Sequence, residues 1–595
     1  MKTLTRWAAA VGLGGLLLVG PVWGEDVYRP EVPILKVAHV GEPVPGIPGA
    51  TFDYLLFPEI DGAGNVLLTA WMVGPGIDYD NDAAIWCGPP GAIEMVAREG
   101  DQAPDMPPGV VYVDVTAMEV VSETGLIAFV AYVAGPGIVE GENDGVIYCG
   151  YPGEFQKVFQ TGDPVPEIGP DVYVDATQSF GPGLTDSGLL FVGAGLCGSG
   201  VSGLYTRAYW LGPPDDLQLM VWEGMPAAQV ACPGCHPDVV MLWVGTISFN
   251  DAGQMAFLGG LSGPGITPYN DNGRWLGSPG NWELLHRDGD VTPEFGVGVT
   301  IRSATGIGHS LNRHGDKANR IRLQGPGITS ANDWVLLGGQ PEPMEVIGRE
   351  GELVPEAGEG VYVESISAGG YTNDLHQMLY CVKFGGDSID ASNRYGIFFG
   401  WYNDAKLILR NGEAVGYFPS GTVFHNVVGA ADLSGMNDVG DFFASTQIAL
   451  SGGEAFPILG MWCGLIGQYV PVVEPGDELY GRTVTTDELG YLGRFWTLTG
   501  GADGLPQSFN DLRQLGVLLN FTDGTTGVYR IGPPLLGDID GDGVVTGVEL
   551  AAFADCVTYP GGQGTTECAA FDLDLDGDID LEDFRLLQGL VGEVP

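Results

Sequence analysis

The sequence predicts an all-β protein, an eight-bladed β-propeller with a small helical calcium-binding tail, and three observations carry the propeller. Turn formers are abundant, with 97 glycines and 41 prolines in 595 residues, and the short apolar runs between them read as strands. A Gly turn, mostly followed by Asp or Glu, recurs at Gly41, Gly100, Gly162, Gly224, Gly289, Gly351, Gly412 and Gly476, at intervals of about 62 residues. A second marker keeps the same step: Asn250, Asn312, Asn373 and Asn437 each open a turn before a strand.

Within one period four strands are expected. In the second repeat they fall roughly at 111–121, 126–133, 145–149 and 155–160. Between the second and third strand, Gly-Pro-Gly-Ile followed by Asn-Asp recurs, as at Gly74–Ile77 with Asn81 and Asp82. These residues tolerate tight-turn geometry. Four short antiparallel strands, repeated radially, make a propeller blade. The eighth repeat stops at Gly532 after three strands, and Ile34–His39 supplies a spare strand before Gly41. Pairing the two would close the ring and remove two exposed edges.

The first residues read as an export signal. Lys2 and Arg6 precede an apolar run from Trp7 to Val19, and cleavage is expected near Glu25. The expected organisation is a signal at 1–24, a propeller at 25–532, a linker at 533–536 and a calcium module at 537–592. A formal charge of −52 argues against nucleic acid and anionic lipid as partners and favours counter-ions such as calcium. No run after the signal is long and apolar enough to span a bilayer.

The stretch Asn250-Asp251-Ala252-Gly253-Gln254-Met255-Ala256-Phe257 resembles the signature of bacterial exported proteins with tandem NxxGxxAF repeats. Degenerate copies start at Ser122, Thr185, Asn312 and Asn437, and the resemblance covers roughly 35–532. It implies an envelope or extracellular setting and no particular activity.

Near the end, Asp538, Asp540, Asp542, Val544, Thr546 and Glu549 fit a twelve-residue calcium loop, with Gly543 at its sharp turn. Asp572, Asp574, Asp576, Asp578, Asp580 and Asp583 repeat the pattern, so two calcium ions are expected. Carboxylates packed this closely repel one another unless a cation intervenes. An amphipathic stretch follows each loop, at 550–557 and 584–591. Loop plus exiting helix, twice over, resembles the dockerin module, which attaches exported enzymes and binders to cohesin partners. The enlarged connection, with Cys556 and Cys568 expected as a disulfide, departs from that family. So do Gly547-Val548 and Leu581-Glu582 just before each last ligand.

Other clusters carry competing readings. Cys232-Pro-Gly-Cys235-His236 has the spacing of a haem c attachment, but its repeat is only about three residues longer than its neighbours. A local disulfide, or a turn with free thiols, is the plainer reading. Arg302, Arg313, Lys317, Arg320 and Arg322, with His309 and His314, concentrate cations in the fifth repeat. They form either an anion site, as for an acidic sugar, or local neutralisation of neighbouring blades. Trp86, Tyr148, Trp275, Trp334, Phe398, Trp462 and Tyr529 read as core packing at matching third-strand positions. Cys87, Cys149 and Cys463 read as small buried strand residues. Two functions stay open: a non-catalytic binder of glycan or protein, or an exported polysaccharide hydrolase or lyase carrying the same module. Residue type alone singles out no catalytic pair.

Overall fold

The computed structural model describes residues 32–590, apart from 176–180, 200, 202–205, 305–310, 341–343, 403, 417, 419, 428–432, 451–454, 464–467, 488–491, 495–506, 534–536, 538–544, 558–567, 569–570, 572 and 574–578. The expected export signal lies outside the described residues. Eight antiparallel sheets follow one another along the chain and form an eight-bladed β-propeller. The second blade is typical, with strands Val111–Val121, Ile127–Ala134, Gly145–Gly150 and Gln156–Gln160 running from the axis outward. Neighbouring sheets cover both faces of each blade, so inner strands read as continuous apolar runs rather than alternating ones. One contiguous core joins Leu67 and Ile85 of the first blade to Val121, Ile127 and Phe129 of the second.

The eighth sheet contains Arg482–Thr485, Leu515–Phe521 and Thr526–Ile531. Ile34–His39 lies on its outer edge, with Ile34 opposite Ile531 and His39 opposite Gly527. Two helices follow the propeller, α1 at Gly547–Cys556 and α2 at Leu581–Leu590. Their buried Phe553, Leu586 and Leu587 join Phe571 and Leu573 in one apolar cluster with Val484, Leu515 and Tyr529 of the last blade. Among the described residues no helix is long and apolar enough to cross a membrane.

The eight repeat-marking glycines share one backbone state, with φ between 83° at Gly41 and 98° at Gly224. Each N–H reaches the inner strand of the blade being entered, as Gly100 to Tyr112 O at 2.9 Å and Gly351 to Val363 O at 2.8 Å. A Cβ would strain that left-handed turn, which explains the period read from the sequence.

The Asn marker has a different task. Asn250 Oδ1 accepts from the amides of Ala252 and Gln254, closing its own turn, while its Nδ2 donates to Asn312 O at 2.8 Å in the next blade. Asn312 donates to Asn373 O, Asn373 to Asn437 O, Asn437 to Asn510 O, and Asn510 to Asp61 O, at 2.8–3.2 Å. In the three remaining blades the turn-closing acceptor is Asp61, Ser122 or Thr185. One amide thus shapes a turn and ties it to the following blade.

Strand pairing corrects two expected positions. Trp86, Tyr148, Trp275, Phe398 and Tyr529 lie opposite equivalent second-strand residues, and Trp210 joins them in the third blade. In the fifth blade Leu337, not Trp334, holds that position, and in the seventh Gly460 replaces Trp462. The Tyr469 ring fills the space that a side chain at Gly460 would take. Cys463, beside Trp462, is likewise two residues past the place held by Cys87 and Cys149, although all three thiols are buried.

Replacing Asn373 with Ala removes two turn bonds and the link to the next blade in a buried setting. The expected cost is about 2–3 kcal/mol, read as a lower urea midpoint at unchanged slope. An unchanged midpoint would show that these amides do not hold the blades together.

Candidate binding site at the axial mouth

Directly after the eight turn-opening residues come Gly62, Glu123, Asp186, Asp251, Arg313, Asp374, Asp438 and Asp511. The links between blades set these second positions around the axis at one end of the propeller. Four of them touch in sequence around it. Arg313 N donates to Asp374 Oδ1 at 3.0 Å, Asp374 N to Asp438 Oδ1 at 2.9 Å, and Asp438 N to Asp511 Oδ1 at 2.8 Å. Ser187 gives its amide and hydroxyl to Asp251 Oδ1, at 2.9 and 2.7 Å. The Arg313 guanidinium pairs with Asp374, and its Nη2 lies 3.8 Å from Asp438 Oδ2.

Six carboxylates therefore converge with one guanidinium and one glycine. Burial holds the Asp186 carboxyl well above the usual range, and the charges of Asp438, Glu123, Asp251 and Asp511 push it further. Those four belong to the seventh, second, fourth and eighth blades, so the third-blade carboxyl feels blades across the ring. Burial, then the charge of Asp511, pushes Glu123 up to about 8, against the bond from the Gln507 amide. Asp438 is pushed up to about 7 by burial and then by Asp374 and Asp511. The first blade contributes no side chain, because a Cβ at Gly62 would collide with the Glu123 carboxylate.

The fourth and fifth turn positions build a second layer. Position four is glycine in six blades, with φ of 70–92° at Gly64, Gly125, Gly188, Gly253, Gly315 and Gly440. His376 and Arg513 hold the same left-handed state, each at φ 59°. Each answers a buried carboxylate at position five of the preceding blade. The His376 Nδ1 meets Asp316 Oδ2, and Arg513 Nε donates to Asp441 Oδ2 at 2.6 Å. Where position five is Gln, position four of the next blade is glycine: a Cβ at Gly440 would come within 2.7 Å of Gln377 Oε1. The two strained residues persist because the bond to a buried carboxylate offsets a local cost of about 1–3 kcal/mol.

The His376 pair is the more exposed. Its side chain is 42% accessible while that of Asp316 is 1% accessible. Asn312 Nδ2 and Gln340 Nε2 donate to Asp316 at 2.8 and 2.6 Å, and the His314 ring stacks on His376 with centroids 4.7 Å apart. A carboxylate fixed at Nδ1 keeps the proton there and leaves Nε2 as an acceptor. Burial, then the charges of Asp316 and Asp374, holds the Tyr402 phenol far above its ordinary range.

The other candidates resolve differently. Arg320 stacks over Trp334 at 4.1 Å and lies 4.0 Å from Glu350, while Arg322 Nε donates to Asp333 Oδ2 at 2.7 Å. Arg302 is exposed on the neighbouring strand Thr300–Ser303, Lys317 Nζ donates to Ser248 Oγ at 2.9 Å, and His309 lies outside the described residues. Cys232 and Cys235 are joined in a disulfide, as are Cys556 and Cys568, so the haem spacing serves a local bridge. His236, exposed beside it, accepts from the Asp238 amide at 3.2 Å.

In the tail, Asp538, Asp540, Asp542, Val544, Asp572, Asp574, Asp576 and Asp578 lie outside the described residues; Thr546, Glu549, Asp580 and Asp583 are described. Glu549 is fully buried, and its Oε2 accepts from the Thr546 amide and hydroxyl, both at 2.7 Å. Its Oε1 is buried without a hydrogen-bond partner. Burial would raise this carboxyl, yet the Thr546 bonds outweigh it and hold it low. An ionised carboxylate with one buried bare oxygen fits the closing ligand of a calcium loop. Asp583 Oδ1 accepts from Leu573 N at 2.6 Å and Oδ2 from Asp580 N at 2.8 Å. Among the described residues no three His, Cys, Asp or Glu side chains gather to hold a metal ion.

The raised carboxyls set the sign of a pH effect. With a folded pKa above the unfolded one, the native state binds more protons between about 4.3 and about 8. Their stabilising contribution is complete below the unfolded value and is lost as pH rises through the folded one. Glu123→Gln should therefore raise the melting temperature at pH 8 and leave it nearly unchanged at pH 4. Equal shifts at both pH values would disprove the burden placed on Glu123.

Among solved structures, the β-propeller domain of the trilobed protease from Pyrococcus furiosus is 10% identical, with 70% of this chain and 96% of that chain covered at a TM-score of 0.30. An oligogalacturonate lyase in complex with manganese is 10% identical over 72% of this chain and 96% of that one, at 0.33. An ulvan lyase of polysaccharide lyase family PL25 is 10% identical over 84% and 96%, at 0.26. Scores this low carry no functional weight. No curated protein matches the chain. Matches over residues 33–400 and 270–490 show that the chain belongs to DUF7453, a family of unknown function.

Proposed function

We propose that this chain is an exported binding protein that takes a cationic group of an extracellular ligand at the axial mouth. That group is a Lys or Arg side chain of a protein or the ammonium of an amino sugar. One observation carries the reading: turns built alike in every blade deliver six carboxylates to one place. Carboxylates pushed up toward 7 and 8 by burial and mutual repulsion are relieved by a bound cation. Arg313 is already neutralised by Asp374 and Asp438, so the mouth suits an acidic sugar poorly. In this reading the N-terminal strand is the clasp that completes the eighth blade, removing two free edges.

The test is a glycan and peptide array probed with calcium-loaded protein. Basic peptides or amino-sugar oligomers should bind, and Asp374→Asn with Asp438→Asn should weaken binding at least about tenfold, the scale of one lost charge pair. Preference for neutral or acidic glycans, or binding indifferent to both substitutions, would sink the proposal. A second reading, an exported glycan-cleaving hydrolase or lyase, is favoured by His376, whose Nε2 is left as an acceptor for general-base work. The same array products, sized by mass spectrometry, separate the two. Cleavage that disappears in His376→Gly, the residue six other blades already carry, would establish the enzyme.

The dockerin-like tail supplies attachment, through calcium and a cohesin-like partner. Glu549 supports the first ion, closing a loop whose other carboxylates would complete the shell. Calorimetric titration should register two calcium ions, and Glu549→Gln should abolish or strongly weaken one. Absence of uptake by the unaltered protein refutes the calcium assignment.

A further inference from the structure

We infer that Cys232–Cys235 is a redox-active disulfide, a site at which this protein accepts two electrons from an extracellular dithiol. The bridge lies in the connection entering the fourth blade, after the short turn Ala227–Val230. Cys232 N donates to Ala227 O and Cys235 N to Cys232 O, both at 3.2 Å, so one compact turn presents both sulfurs. Cys232 is 8% accessible, Cys235 is half-buried, and His236 beyond it is exposed.

What sets this bridge apart is its neighbour. Arg287 Nη1 lies 3.5 Å from Cys235 Sγ and 3.8 Å from Cys232 Sγ. The arginine itself recurs in four of the eight blades. Arg98, Arg287, Arg349 and Arg410 each give Nε to the turn carbonyl of their own blade, at Asn81, Asn270, Asn332 and Asn393. The rest of the guanidinium finds ordinary partners elsewhere: Arg410 Nη1 donates to Ala357 O at 2.6 Å, and Arg349 lies 5.4 Å from the Phe295 ring. In the fourth blade the two sulfurs take that place, and among the described residues no carboxylate forms an ion pair with Arg287. A neutral disulfide gains little from a guanidinium at this distance. A thiolate gains a direct charge pair, which lowers thiol pKa and favours the reduced form. The insertion thus puts a Cys-x-x-Cys pair against a cation already in position.

The exchange balances as follows. A substrate thiolate attacks Cys235 Sγ, forming a mixed disulfide, and Cys232 leaves as a thiolate beside Arg287. The second substrate thiol loses its proton to solvent and attacks the substrate sulfur of the mixed disulfide, expelling the Cys235 thiolate. The dithiol becomes a disulfide, Cys232 and Cys235 become a dithiol after proton uptake, and two electrons have moved. The Cys556–Cys568 bridge and the exposed free thiol of Cys197 serve as internal references.

The experiment treats the full-length protein with dithiothreitol, quenches with an alkylating maleimide, and maps each cysteine by peptide mass. Cys232–Cys235 should open at least about tenfold faster than Cys556–Cys568, and Arg287→Gln should slow only the first, by about tenfold. Because Gln also loses the bond to Asn270, a second measurement uses the unaltered protein. After reduction, alkylation of Cys232 or Cys235 should persist to lower pH than alkylation of Cys197. Equal opening of the two bridges, or a pair that ionises with or above Cys197, overturns the inference.

Discussion

The amide that each turn-opening asparagine extends to the next blade is the constraint on which the rest depends. It fixes the turn through its oxygen and the neighbour through its nitrogen, so local shape and blade spacing cannot vary separately. With spacing set, the following residue in each blade is carried to the axis whatever its chemistry. That separation lets a repetitive scaffold present an irregular set of charges.

The repeat was legible because its markers have backbone causes. Glycines at a left-handed φ and asparagines that close turns tolerate few substitutes, and both recur at about 62 residues. The third-strand aromatics were less legible, since Trp334 and Trp462 satisfy the pattern while the pairing register puts Leu337 and Gly460 in their places. Packing volume can be supplied from another strand, as Tyr469 does beside Gly460, so side-chain identity at one position is a weak guide to register.

The axial charges were hidden for another reason. Asp186 or Asp438 is one acid among 76 Asp and Glu residues, and nothing local distinguishes it. Their meaning appears only when the turns are superposed and the second position is read around the ring. The same superposition exposes His376 and Arg513 as non-glycine residues in a glycine position. Arg313 stood out in the sequence as part of a basic cluster, yet its partners are acidic neighbours at the mouth. Apolar side chains of the tail share a core with the last blade, a contact that no local pattern announces.

Near-identical sheets have a hazard that unlike domains do not: any one can dock beside any other and still bury its faces. Two polar seams oppose that interchange. Asp316 meets a matching donor in the sheet bearing His376, and Asp441 meets one in the sheet bearing Arg513. Glycine-bearing neighbours would seal a carboxylate without that partner. Those seams work as keys that give an otherwise permutable ring a fixed seating order.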